Sequence, residues 1–270
     1  MRNLQITSCM AQNADFICAG LADYISEQLQ LPTAFIGDIP WQERERRFDA
    51  GDIHVCWICG LPYAWKADRG QPPLELLVAP VMQGARYQDH AVYFSDVLVL
   101  RTSPFHTFAD LRGAIWASNE PGSHSGYNVV RYHLATLGET AGYFGRTIES
   151  GAHQTSLKLL LDGAIDATAI DSTVLEAELR RHPEIEARIR VVATLGPSPI
   201  PPWVVLRSVP QELRRALRTV LLQMHMDPRG RALLAAGRIA RFEHVDDRAY
   251  DPIRWMDQQA MRITLSVTQG

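Results

Sequence analysis

Short apolar runs and segments with helix-spaced apolar residues alternate along almost the whole chain, and that alternation leaves few folds open. Leu4–Thr7 reads as a first strand, and Phe16, Ala19, Leu21, Tyr24, Ile25 and Leu29 then repeat at helical spacing. Pro32–Gly37 is a second strand, Trp41–Asp49 a charged helix stopped by Gly51, and Ile53–Ile58 a third strand followed by a short helix near Tyr63. Leu74–Val81 completes what reads as a parallel layer. At Tyr87–Arg101 the character changes, because Ala91–Leu100 is long for a strand and suits a crossing from one lobe to another. A second series follows: a helical turn ending in Asp110-Leu111-Arg112-Gly113, strand Ala114–Ser118, helix Tyr127–Leu137, strand Gly145–Glu149, helix Thr155–Leu161, strand Ala167–Ile170 and helix Thr173–Arg181. Ile189–Leu195 reads as the return to the first lobe, and Pro197–Pro202 as a stiff non-helical connection. Trp203–Leu206 is a further strand and Gln211–Met224 a helix, while the tail from Arg241 onward has no clear period. The expectation is an α/β clamshell with two hinge crossings, residues 1–90 and 193–270 forming one lobe and 91–192 the other. A cleft at the C-terminal ends of strands is where such sheets bind ligands. Cys56–Gly60, Gly122–Gly126, Ser150–His153 and Asp171-Ser172 all fall at such ends.

A length of 270 residues suits one large domain or two of ordinary size. The formal net charge of −3 argues against a nucleic-acid surface. The arginine clusters (Arg44, Arg46, Arg47; Arg180, Arg181; Arg214, Arg215, Arg218) read as solvated helix faces. No apolar run approaches a membrane span, which argues against direct insertion. Polar residues from Asn3 to Asp15 interrupt any signal-peptide core, so as written the chain carries no export address, and the cytoplasm and the periplasm stay open. All four cysteines, Cys9, Cys18, Cys56 and Cys59, precede residue 60. Cys56-Trp57-Ile58-Cys59 is a lone CxxC, and cysteines packing at buried strand ends explain it without a metal or redox role.

Gly122-Ser123-His124-Ser125-Gly126 stands where the Ala114–Ser118 strand hands over to a helix. The first turn of a helix has unpaired N–H groups and a partial positive charge, so anions bind there. Ser123 and Ser125 add hydroxyl donors, and Gly126 lets a ligand approach the backbone. A helix cap would need one serine only.

These residues carry a resemblance. The chain is similar to the phosphonate-binding (PhnD-like) branch of the type 2 periplasmic binding proteins, the substrate-binding components of ABC importers. The likeness rests on Tyr93-Phe94-Ser95-Asp96, Phe108–Gly113, Gly122–Gly126, Gly151-Ala152-His153 with Leu160–Ala167, and Ile170-Asp171-Ser172, with Pro199-Ile200-Pro201 and Met226–Gly230 as weaker echoes. The resemblance implies that Ser123, Ser125 and Gly126 bind an oxyanion, that Tyr93 and His153 lie beside it, and that Asp171 meets a ligand amine. It also places Trp57 and Tyr63 as aromatic residues of the cleft. His124 stands where the family often has threonine, which removes a hydroxyl and adds a titratable ring. No cofactor or metal is expected. The partners expected are a small anionic ligand (phosphonate, phosphate, sulfonate or carboxylate) and an ABC permease.

From the residues alone, each aromatic is also explained by core packing, His153 by a backbone bond at a helix start, and Asp171 by capping the helix after it. Enzyme motifs are missing: the centre of Gly122–Gly126 is His124, not the serine of a nucleophile elbow, and there is no P-loop, HExxH or GxGxxG. The expected function is capture of a small oxyanion-bearing ligand for import, with no catalytic residue. The alternatives are an enzyme of the same fold in cofactor or small-metabolite biosynthesis, using His124, His153 and Asp171 for acid–base work, or a ligand-sensing regulatory module.

Overall fold

The structure, a computed structural model, describes residues 1–139, 142–263 and 265. The chain divides into two compact units, one from Met1–Val92 with Pro199–Asp251, the other from Tyr93–Ser198 with the described residues from Pro252 on.

The first unit is built on β1 (Leu4–Ser8), α1 (Asp15–Leu29), β2 (Thr33–Ile36), α2 (Trp41–Ala50), β3 (Val55–Trp57), α3 (Gly60–Arg69) and β4 (Leu74–Met82). β1 pairs in parallel with β2 and β3, as the alternation of strands and helices requires. Gly51 ends α2 at φ 86°, a left-handed position that glycine adopts without steric cost. Arg44 departs from the solvated face expected for it. It is buried, its Nη1 and Nη2 donate to the two carboxylate oxygens of Asp15 at 3.1 and 3.0 Å, and its Nε donates to the Ile39 carbonyl at 2.8 Å. A bidentate carboxylate and backbone acceptors compensate the loss of water. Arg46 stays exposed, Arg47 is half-buried, and the two share Glu43.

The second unit opens with β5 (Val92–Leu100) and continues through β6 (Ile115–Ser118), α4 (Val129–Thr136), β7 (Arg146–Glu149), α5 (His153–Leu161), β8 (Ala167–Asp171), α6 (Ser172–Arg181) and β9 (Ile189–Pro199). Its sheet runs β7-β6-β8-β5-β9. Ile189–Leu195 therefore stays in the second unit as an edge strand, with Val192 and Ala193 packed against its core, and the chain leaves only after Ser198. Back in the first unit, β10 (Trp203–Leu206) inserts antiparallel between β3 and β4. The six-stranded sheet is thus mixed rather than the parallel layer expected from its first four strands.

After β10 come α7 (Gln211–Gln223), α8 (Pro228–Ala236) and β11 (Ile239–Glu243), which pairs antiparallel with β4. The part of the tail without a clear period includes α9 (Asp251–Gln259), and from Pro252 it groups with the second unit rather than the first. Arg131 of α4 fixes it there: Nε and Nη2 donate to the carbonyls of Ile263 and Ala260, both at 2.6 Å. Ile263 and Leu265 join a core that includes Val97, Trp116 and Val130. The chain accordingly passes between the units at three places, after Val92, Ser198 and Asp251.

Candidate ligand-binding site

In the second unit, β7, β6 and β8 lie side by side and parallel, so the turns that follow them share one edge of the sheet. After β6 comes the Ser123–Gly126 turn, after β7 the start of α5 at His153, and after β8 the Asp171 cap of α6. β5 runs antiparallel to β8 with Ser95 opposite Asp171, which brings Tyr93 and Ser95 to the same edge. Parallel neighbours deliver three helix starts to one place, the position at which open α/β sheets hold ligands.

The helix after β6 does not begin as an ordinary α-helix. His124–Asn128 form a π-helical turn, and α4 starts only at Val129. Ser123 caps the turn, its Oγ accepting from Gly126 N–H at 3.1 Å. That leaves the Ser123 hydroxyl proton to donate elsewhere. Ser95 Oγ–H donates to the Ser125 carbonyl at 2.6 Å and pins the turn to the sheet. A side chain at Gly126 would place its Cβ 2.9 Å from Asn119 Cγ and Oδ1, so the Asn119 side chain would have to shift to admit it.

Ser125 Oγ lies 3.0 Å from His153 Nε2, which joins the residues expected on the oxyanion. Burial pushes His153 down to about 4, partly offset by the Ala169 backbone, so its ring is neutral at physiological pH. His124 is fully buried and pushed down to about 3, also by loss of water. It holds Ser198 Oγ at 2.9 Å and Asn128 Nδ2 at 3.2 Å, and Tyr93 lies against it with ring centroids 6.3 Å apart. Asp171 Oδ1 accepts from Thr173 N–H and Oγ1–H, both at 2.7 Å, so the carboxylate caps α6. Burial, with the Asp96 charge nearby, raises it to about 6. Around this turn two buried polar atoms have no hydrogen-bond partner among the described residues, the amide oxygens Asn119 Oδ1 and Asn128 Oδ1.

Trp57 and Tyr63 belong to the first unit. Trp57 stacks on Trp203 with centroids 5.6 Å apart, and its Nε1–H donates to the Pro201 carbonyl at 2.9 Å. Tyr63 meets Tyr250 edge-on, and its hydroxyl donates to Asp247 Oδ1 at 2.7 Å. Tyr63 also lines a groove of about 560 Å³ with Lys66, Pro72, Arg207, Arg218 and His244. None of the four cysteines forms a disulfide among the described residues; the Cys9 and Cys56 sulfurs lie 3.6 Å apart, and burial pushes the Cys56 thiol well above its ordinary value.

Ser95, Asn119, Asn128 and Ser198 take part in this geometry without having been singled out from the sequence. Ser95 stood inside the quoted Tyr93–Asp96 motif, but nothing in its spacing marked it as the anchor of the turn. Asn119, Asn128 and Ser198 carry no spacing signal at all.

Solved structures share this fold. A binding protein component of an ABC phosphonate transporter from Pseudomonas aeruginosa matches with a TM-score of 0.83 at 17% identity, covering 96% of this chain and 86% of its own. PhnD1 from Prochlorococcus marinus, solved with methylphosphonate, matches with a TM-score of 0.84 at 17% identity over 97% and 99% of the two chains. The periplasmic aliphatic sulphonate binding protein SsuA from Escherichia coli matches with a TM-score of 0.67 at 15% identity over 96% and 91%. Among the described residues no helix is long and apolar enough to cross a membrane. The model of a family described as “ABC transporter, phosphonate, periplasmic substrate-binding protein” matches residues 12–250, a family of transport components rather than enzymes. The chain belongs to this family of phosphonate-binding, periplasmic substrate-binding proteins of ABC transporters.

Proposed function

We propose that the protein captures a small phosphonate- or phosphate-like oxyanion on the Ser123–Gly126 turn and presents it to an ABC permease. The observation that carries this reading is the convergence of donors at one buried turn: the hydroxyls of Ser123 and Ser125, each 4% exposed, with His153 Nε2 3.0 Å from Ser125 Oγ. Beside the turn the amide oxygens Asn119 Oδ1 and Asn128 Oδ1 have no partner among the described residues, and since they only accept, a water or a protonated ligand oxygen completes them. Ser123 and Ser125 supply hydroxyls and the first-turn amides supply N–H groups, while the neutral rings of His124 and His153 add no charge. Tyr93 lies beside the turn, and Asp171 at the same edge would meet a cationic part of the ligand. The committed polar atoms of Trp57 and Tyr63 support a packing role for these two in the first unit.

Mass spectrometry of small molecules that copurify with the protein, followed by calorimetric titration with methylphosphonate, inorganic phosphate and methanesulfonate, tests the reading. Saturable binding of methylphosphonate or phosphate is expected. A copurifying ligand without an oxyanion, together with no heat from the three anions, would overturn it.

A further inference from the structure

His124 and Ser198 form a buried pair that the capture of an oxyanion by Ser123 and Ser125 does not use. Ser198 is the last residue of the second unit before the chain leaves it, and at 3% exposure it is as deeply buried as Ser123 and Ser125, each at 4%. Its Oγ lies 2.9 Å from His124 Nε2, and the other ring nitrogen, Nδ1, lies 3.2 Å from Asn128 Nδ2. An amide nitrogen only donates, so Asn128 marks His124 Nδ1 as the acceptor. In a neutral imidazole the proton then sits on Nε2. Nε2–H donates to Ser198 Oγ, and the serine keeps its own proton for a second partner. A protonated ring would need Nδ1 to donate towards an amide nitrogen, which cannot accept. Asn128 on its own turn, Ser198 on β9 and Tyr93 on β5 all face the ring.

We propose that Ser198 is a further ligand-binding hydroxyl of the site, and that His124 is the positioning residue that turns its O–H towards the oxyanion. The inference rests on the reading that the oxyanion occupies the Ser123–Gly126 turn. His124 lies between the two serines of that turn in sequence, and its ring spans to β9, so a hydroxyl donor from a different strand joins the helix start. At a threonine in this position the hydroxyl would belong to the turn itself. Here the imidazole moves the hydroxyl one residue further out, onto Ser198, and changes the direction from which the ligand is held. That redirection makes His124 and Ser198 determinants of which oxyanion fits.

The test is calorimetric titration of the parent, Ser198→Ala, Ser198→Thr, His124→Ala and the His124→Ala/Ser198→Ala double variant with methylphosphonate, inorganic phosphate and methanesulfonate. Thermal unfolding of each variant is recorded alongside. Ser198→Ala is expected to lose about tenfold or more in affinity for the anion that the parent binds best, as removal of a bond to a charged group does. Ser198→Thr, which keeps the hydroxyl, is expected to retain most of the affinity. His124→Ala should weaken binding in the parent background and change little once Ser198 is alanine, since the histidine acts through the serine. Nitrogen-15 NMR of the ligand-free protein should show His124 protonated on Nε2. Ser198→Ala binding like the parent, or equal losses for Ser198→Ala and Ser198→Thr, would overturn the role of Ser198. An Nδ1-protonated ring, or additive losses in the double variant, would overturn the positioning role of His124. Ser123→Ala and Ser125→Ala serve as the control. If they too bind like the parent, or if the parent binds none of the three anions, the reading of the turn itself fails and this inference with it.

Discussion

The Ser123–Gly126 turn of the second unit and the Trp57–Tyr63 region of the first are both ligand-facing by the family resemblance, yet their chemistry differs. The polar atoms of Trp57 and Tyr63 end on protein partners, Pro201 and Asp247, and the rings pack on Trp203 and Tyr250. At the turn, serines, an asparagine pair and two neutral histidines are buried together, and the amide oxygens of both asparagines have no partner among the described residues. Aromatic packing stabilises by area and satisfied bonds. An incompletely bonded polar cluster costs stability and is kept where it does chemistry or binds. Exposure alone would not have separated the two regions, because both are buried; the accounting of hydrogen bonds does.

The largest effect that sharpens this contrast is the dependence of stability on pH. His124 and His153 are held near 3 and 4 in the folded state. An unfolded histidine takes its proton near pH 6.5, so the stability they contribute is fully present above that value and is lost as pH falls towards their folded values. Asp171, raised to about 6, acts in the opposite sense. It binds its proton more tightly when folded, so it adds stability as pH falls from about 6 to about 4. The sum is a net loss of about 2 kcal/mol between pH 7 and pH 5. Urea unfolding at the two pH values measures it, and His124→Thr should remove about half of the histidine part. Equal losses in parent and variant would break the claim that the polar burial at the turn sets the acid sensitivity.

Gly126→Ala should cost about 1–3 kcal/mol, since the new methyl meets the Asn119 side chain at 2.9 Å. A chemical-denaturation midpoint unchanged from the parent would show that the turn is looser than its contacts imply. Tyr63→Phe removes one bond to Asp247 and leaves the ring stack, a cost of about 1 kcal/mol. A larger loss of anion affinity than of stability in that variant would return Tyr63 to the binding site. The smallest effect expected is at the cysteines: elemental analysis of tag-free protein should find no stoichiometric zinc, and bound zinc would overturn the packing explanation of Cys56 and Cys59.

Much of the fold was legible because each strand and helix carries its own period. The C-terminal ends of β6, β7 and β8 could be placed together from the alternation alone, and with them Ser123, Ser125, His153 and Asp171. Long-range facts were not legible. β10 inserts between β3 and β4, and α9 joins the second unit through Arg131, both set by pairings that no local window contains. Arg44 looked like its exposed neighbours because a buried ion pair with Asp15 is invisible to helical spacing. Ser198 was hidden inside a proline-rich stretch that reads as a connector, and only the His124 ring, arriving from another element, distinguishes it from its neighbours.

The most direct measurement is a calorimetric comparison of four single variants, Ser123→Ala, Ser125→Ala, Trp57→Phe and Tyr63→Phe, titrated with the anion that the parent binds best among methylphosphonate, phosphate and methanesulfonate. Each serine variant should lose about 1.5–3 kcal/mol, a ten- to hundredfold fall in affinity, because a hydrogen bond to a charged group is removed. Each aromatic variant should stay within about threefold of the parent, under about 0.7 kcal/mol. Parent-like binding by both serine variants, with the loss falling on Trp57 or Tyr63 instead, would contradict the account.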